Sequence, residues 1–156
     1  MITTGVELGL FVQIAVAMIL GIALGLERAL AGRTAGPRTY GLVSMGACLL
    51  TIISLYAGTQ YADSPRADPI SIVAAVMTGI GFIGAGLIIF HESKVSGLTT
   101  AAGIWVSAGI GIAVGYRLYV LAFFTAFLTL FIFSVMWRIE NRIKARYGST
   151  IKVDNQ

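Results

Sequence analysis

Ile70 to Phe90 is an unbroken run of 21 uncharged residues, centred on Thr78-Gly79-Ile80-Gly81-Phe82-Ile83-Gly84-Ala85-Gly86. Wound as an α-helix, such a run crosses the roughly 30 Å hydrocarbon core of a bilayer, so it predicts a membrane-spanning helix. Glycine weakens helices in water, but in lipid the backbone must satisfy itself, and small residues let a neighbouring helix approach closely. Gly79, Gly81, Gly84 and Gly86 are therefore expected to form a helix-packing surface. Gly79, Gly81 and Gly84 also match the dinucleotide-binding spacing G-x-G-x-x-G. That pattern has meaning only in a tight turn between a strand and a helix, and this apolar run offers no such context, so the nucleotide reading is rejected.

The whole sequence agrees with the run. Of its 156 residues, 57% are hydrophobic and only 12% charged, about half the charge of an ordinary globular protein. Cys48 is the single cysteine and His91 the single histidine. An internal disulfide framework and a His/Cys metal site are thus excluded, and Cys48 is expected to be a packing residue. No cofactor is expected. The net charge of +4 would suit nucleic acid only if it were gathered on a soluble face. Here most basic residues flank apolar runs, which points to membrane orientation and to no nucleic-acid partner.

Five runs are expected to span the membrane, over residues 8–26, 40–62, 70–90, 98–116 and 118–137, giving an all-α bundle. The first carries Ala17, Gly21 and Gly25 at i, i+4, i+8, a close-packing stripe. Its basic residues follow the apolar segment, so it reads as a retained span, not a cleaved signal peptide. The second places Ser44, Ala47, Thr51, Ser54 and Gly58 on one face, which should meet another helix. Asp68 before Pro69 reads as a helix cap at the start of the third. The fourth repeats Gly103, Ser107, Gly111 and Gly115 every four residues, and the fifth has no glycine and many Phe and Leu, as suits a lipid-facing helix.

Nine basic residues fall on one side of this five-span arrangement and two, Arg66 and Arg117, on the other. The N-terminus is therefore expected outside, with the C-terminus in the cytoplasm. Residues 138–156 form a short basic tail, in which Arg138, Arg142 and Arg146 share a helical face suited to anionic membrane lipids.

No ionisable residue lies well inside a run, which disfavours a proton-coupled pump. Candidate chemistry is left at the span ends, on the expected cytoplasmic side: Glu27, Arg28, Arg38, Thr39, Thr99 and Thr100. Arg38 opens a helix, where its charge opposes the macrodipole, so it should have an acidic or phosphate partner, with Glu27 the nearest candidate. Ser96 could cap the fourth helix, while Thr99 and Thr100 add hydroxyls to free backbone N–H groups that could receive a phosphate or carboxylate. The plainer reading is that these charges set orientation and the threonines start a helix.

Gly25-Leu26-Glu27-Arg28, Ala35-Gly36-Pro37-Arg38-Thr39, the glycine run 79–86, and Gly97-Leu98-Thr99-Thr100-Ala101-Ala102 followed by Trp105 together resemble the membrane domain of the bacterial MgtC/SapB family. The resemblance covers residues 5 to 137. It implies a bacterial inner-membrane protein linked to growth under magnesium limitation and, in pathogens, to survival inside host cells. Some members append a soluble C-terminal domain, whose functions are not carried over to the tail expected here. Pro37 stands where the family often has leucine. Ser71 and Ala75 stand where it often has arginine and glutamine, which weakens any ligand role for the outer half of the third helix.

The leading expectation is a non-enzymatic protein whose spans associate with one another, as a homo-oligomer and first of all a dimer, and with partner membrane proteins. The alternative is direct transport of Mg²⁺ or another ion, using backbone carbonyls of a glycine-broken third helix and hydroxyls such as Thr78 and Ser107. Mg²⁺ gives up its water reluctantly and prefers carboxylates, which the spans lack. An enzyme ranks third, because the sequence shows no nucleophile beside a base, no paired carboxylates and no metal cluster.

Overall fold

The computed structural model describes residues 4–60, 69–91 and 94–147. In chain order it contains α1 (Thr4–Leu30), α2 (Pro37–Gln60), α3 (Pro69–Gly86), β1 (Ile89–His91), β2 (Lys94–Ser96), α4 (Leu98–Gly115) and α5 (Tyr119–Tyr147). Among the described residues, four helices are long and apolar enough to cross a membrane: α1 from Glu7, α2, α4, and α5 as far as Ile139. A multi-pass membrane bundle fits this pattern.

The third expected span requires a correction. Helix α3 stops at Gly86, and the chain turns through i→i−3 bonds from Leu87 N–H to the Gly84 carbonyl (3.1 Å) and from Ile88 N–H to that of Ala85 (3.2 Å). Ile89 to His91 then pair antiparallel with Lys94 to Ser96. Gly84 and Gly86 weaken the last helical turn, and the β-branched and aromatic residues after it favour a strand. The expected cap at Asp68 and the end of the tail, including Lys152, lie outside the described residues.

Helix α4 lies at the centre. It packs against α1, α2, α3 and α5, while α2 also packs against α1 and α3, and α5 against α1. Small residues make these approaches possible. Ser44 of α2 lies between Gly21 of α1 and Gly111 of α4. A Cβ added at Gly21 would sit 2.8 Å from the Ser44 Cβ, and one at Gly111 would land on the Ser44 carbonyl oxygen. One turn along, a Cβ at Gly25 would meet Pro37 Cα at 2.5 Å, and one at Gly115 the Thr51 Cβ at 2.7 Å. Gly103 faces the Tyr40 hydroxyl and Phe133. The small residues of α1, α2 and α4 lie against one another, with Ser44, Ala47, Thr51 and Ser54 all buried. Cys48 is buried in the same core.

Three polar side chains in this interior, Ser107, Tyr40 and Gln13, bind main chain. Ser107 Oγ donates to the Tyr40 carbonyl at 3.0 Å and the Tyr40 hydroxyl to the Thr100 carbonyl at 3.3 Å, tying α2 to α4 twice. Gln13, only 1% exposed, donates from Nε2 to the carbonyls of Val114 (2.9 Å) and Gly115 (3.1 Å). Both are last-turn carbonyls of α4, where helix geometry leaves acceptors over; that of Val114 also accepts from the Arg117 N–H at 2.9 Å. Among the described residues, Ser44 Oγ is buried without one.

The glycine motif of α3 divides. Gly84 packs on Ala101 of α4, with 3.6 Å from an added Cβ, whereas a Cβ at Gly79, Gly81 or Gly86 would meet nothing within 4 Å. Among the described residues, the close packing expected at these three does not form. α5 is as expected: Ala122, Ala126, Thr129 and Phe133 form its buried seam, and Phe123, Phe124, Phe127 and Phe131 are exposed.

Candidate functional site

The positions of the six candidate residues follow from where three helices begin or end. Glu27 and Arg28 close α1, Arg38 and Thr39 open α2, and Thr99 and Thr100 open α4. Alternating helix direction and the packing of α1 on α2 and α4 put all of them at one end of the bundle.

The turn after α1 is built by hydrogen bonds. Gly32, at φ +68°, donates to the Ala29 carbonyl at 3.0 Å, and Arg33 N–H reaches back to the Arg28 carbonyl at 3.0 Å. This is a Schellman closure with glycine at the left-handed position. It places Arg33 just beyond the helix end whose last turn carries Arg28.

Arg28 is 2% exposed, unusual for a group that prefers water. Two interactions accommodate it. Its guanidinium lies 3.6 Å from the centroid of the Phe133 ring of α5, a cation–π geometry. Its Nε and Nη2 both reach Glu27 Oε2 at 2.6 Å. The partner expected for Glu27 is thereby corrected: it pairs with its chain neighbour Arg28, while Arg38 points outward, exposed. The burial of Arg28 decides this, since a buried cation needs the carboxylate far more than an exposed one does.

Thr99 is exposed and Thr100 buried. Thr99 lines a cavity of about 220 Å³ with Arg28, Arg33, Ile132, Phe133, Met136 and Trp137. A second cavity of about 230 Å³, also bordered by Trp137, is lined by Glu27, Ser134 and Arg138 among others. Thr100 contributes its carbonyl to Tyr40 instead, and Thr39 is half-buried. The expected cap of α4 is also corrected. Gly97, at φ +89°, occupies the N-cap position without a side-chain cap, and Ser96, one residue too early, donates across the hairpin to the Ile89 carbonyl at 3.4 Å. A Cβ at Gly97 would run into the Leu87 carbonyl, so glycine is required by both space and φ.

The site that forms is therefore Arg28, Arg33 and Thr99 against an aromatic and aliphatic wall of α5, in place of Glu27 and Arg38 with two threonines. Phe133 and Trp137 had no signal as site residues beyond the closeness of Trp137 to the basic run. Gln13 carries no charge, so nothing in the sequence marks it within its apolar run. Among the described residues no group of three or more His, Cys, Asp or Glu could hold a metal ion.

Residues 14–142 match the MgtC family. The chain belongs to the MgtC family. Among its relatives is YhiD of Escherichia coli K12, whose name calls it a candidate magnesium transporter. YhiD is 42% identical over 123 residues, covering 78% of this chain and 57% of that protein. SapB of Bacillus subtilis is 38% identical over 117 residues (73% and 50%). MgtC of Salmonella typhimurium is 44% identical over 99 residues (64% and 40%). This MgtC-family chain thus spans about half the length of these relatives. No solved structure matches it.

Proposed function

We propose that this MgtC-family protein is a non-enzymatic, five-span protein of the bacterial inner membrane, with its N-terminus outside and its C-terminus in the cytoplasm. It acts in adaptation to low magnesium by associating with itself, first as a dimer, or with partner membrane proteins. The observation that carries this reading is one face of α3. Ala74, Thr78, Gly81 and Ala85 follow one another at steps of four, three and four, and all four are exposed. The Thr78 hydroxyl donates to the Ala74 carbonyl of its own helix at 2.9 Å, so the stripe is effectively apolar as well as flat. The α1 and α4 stripes are consumed inside the bundle; this one is left for a helix from outside.

The test is co-isolation of two differently tagged copies from membranes, together with growth of a deletion strain at low magnesium. Gly81→Leu should lower both while leaving the thermal stability of the purified protein unchanged. Unaltered co-isolation and growth would sink the proposal.

The name of the E. coli relative favours a second reading, Mg²⁺ transport. The two hydroxyls suggested for it lie apart: Ser107 is buried and bonded to the Tyr40 carbonyl, and Thr78 is on the exposed face of α3. Mg²⁺ flux into liposomes above the leak of empty ones, lost in a Ser107→Ala variant, would move transport ahead.

A further inference from the structure

We propose that the cavity between Arg28, Arg33, Thr99 and Trp137 binds the phosphodiester headgroup of an anionic phospholipid. The inference stands whatever α3 meets, and needs only that the chain lies in a membrane. Four observations converge on it.

The first is charge. Glu27 cancels Arg28 through a single carboxylate oxygen that takes both Nε and Nη2, so Nη1 is left uncommitted to that pair. Arg33, exposed on the same cavity, adds one unbalanced positive charge. A phosphodiester carries one negative charge and offers two anionic oxygens, a match for one guanidinium fork from each arginine.

The second is preorganisation. Arg28 is held by Phe133 and Glu27, and the backbone of Arg33 is fixed to that of Arg28 by the closure at Gly32. Little ordering is left for a ligand to impose, which favours binding. Thr99 adds a hydroxyl from the first turn of α4, where backbone N–H groups also favour an anion.

The third is the opposite wall. Ile132, Met136 and Trp137 make one side of the cavity apolar. Free phosphate gains nothing from such a wall. A lipid can lay its glycerol and first acyl methylenes against it. At about 220 Å³ the space holds a headgroup but is below the usual size of a site that encloses a whole ligand.

The fourth is depth. Arg28 and Thr99 lie at ends of apolar segments that finish at Leu30 and begin at Leu98, and Trp137 lies two residues before the end of the segment that finishes at Ile139. Headgroups and interfacial tryptophans occupy that level of a bilayer.

The test uses the whole protein in detergent, with Trp105→Phe so that Trp137 is the only tryptophan. Its emission is followed on titration with dioctanoyl phosphatidylglycerol, dioctanoyl phosphatidylcholine and inorganic phosphate. Phosphatidylglycerol should give a saturable change, with phosphatidylcholine and phosphate far weaker. Arg33→Gln, an exposed position, should weaken the phosphatidylglycerol response about tenfold, the worth of one charge-assisted hydrogen bond. Arg117→Gln, an exposed arginine at the opposite end of α4, should leave it unchanged. Equal saturation by the two lipids, saturation by phosphate with phosphatidylglycerol no better, or an Arg33→Gln curve superimposable on the parent would each overturn the proposal.

Discussion

The main-chain N–H of Arg33 donates to the carbonyl oxygen of Arg28 at 3.0 Å, across a glycine in the left-handed conformation. The same closure recurs after α4, where Leu118 N–H reaches the Ala113 carbonyl at 2.8 Å. There the left-handed position is held by Arg117, at φ +61°. An L-residue with a Cβ is strained by about 1 kcal/mol in that conformation, and glycine is not. A Cβ at Gly32 would meet nothing, so only the backbone term is at stake. Gly32→Ala should destabilise the protein by about 1 kcal/mol, and Arg117→Gly should stabilise it by about 0.5–1 kcal/mol. Thermal unfolding in detergent checks both; shifts of the same sign would refute the account.

Arg28→Lys should not behave as a conservative change. The ammonium cannot lie flat on Phe133 while reaching one carboxylate oxygen through two nitrogens. We expect a loss of about 1–2 kcal/mol in unfolding free energy. Phe133→Leu, which removes the ring from beneath the guanidinium, should show a comparable loss in the parent protein and a smaller one in the Arg28→Lys background. Additive losses in that double-mutant cycle would show that the two side chains do not interact.

Gln13→Leu keeps the approximate volume but removes the amide that donates to the Gly115 carbonyl and to that of Val114, which retains the Arg117 N–H. The expected cost is about 1–2 kcal/mol, read as a lower midpoint of thermal unfolding. A midpoint at or above that of the parent would mean that the amide contributes nothing net.

Gly111→Leu must push α4 away from the Ser44 carbonyl, and overpacking of this kind costs about 1–3 kcal/mol or more. Phe127→Leu, at a position 63% exposed on α5, should stay within about 0.5 kcal/mol of the parent. Equal unfolding midpoints for the two variants would remove the argument that this stripe sets the helix spacing.

Orientation is open to a direct assay. The nine-to-two division of basic residues leads us to expect that a reporter fused after Lys152 is active only in a form that works in the cytoplasm. Activity of a reporter that matures only outside the cytoplasm would reverse the assignment.

Much of the bundle was legible because lipid simplifies the code. Where water is absent, small residues at i, i+4 have one main use, and atoms of another helix lie beside Gly21, Gly25, Gly103, Ser107, Gly111 and Gly115. The end of α3 was not legible, since Leu87 to Phe90 are as apolar in a strand as in a helix and hydropathy does not separate the two. The arginine pairing was missed for a different reason. Adjacent helical residues ordinarily point about 100° apart, which leaves Glu27 available to Arg38 on sequence grounds. What turns it to Arg28 is the burial of that guanidinium under Phe133, a residue more than a hundred positions away. The same separation hid the α5 wall of the cavity. Gly79, Gly81 and Gly86 show the remaining ambiguity: spacing identifies a surface that can pack, without saying whether the partner is in the same chain.

The short α3 bears on the bilayer itself. At 1.5 Å per residue its 18 residues measure about 27 Å, some 3 Å less than a typical hydrocarbon core. The hairpin that ends it cannot make up the difference within the acyl chains, because the outer edge of a two-stranded ribbon presents backbone groups that lipid does not satisfy. In the proposed five-span arrangement a bilayer crossed on α3 must therefore dip to meet the exposed Ile89 and Phe90, whereas α4, of the same 18 residues, is surrounded by the longer α1, α2 and α5, so the dimple lies on the α3 face alone. Membrane thickness then becomes a variable to which this protein responds, since a thicker bilayer raises the cost of the dimple and favours covering α3 with another helix.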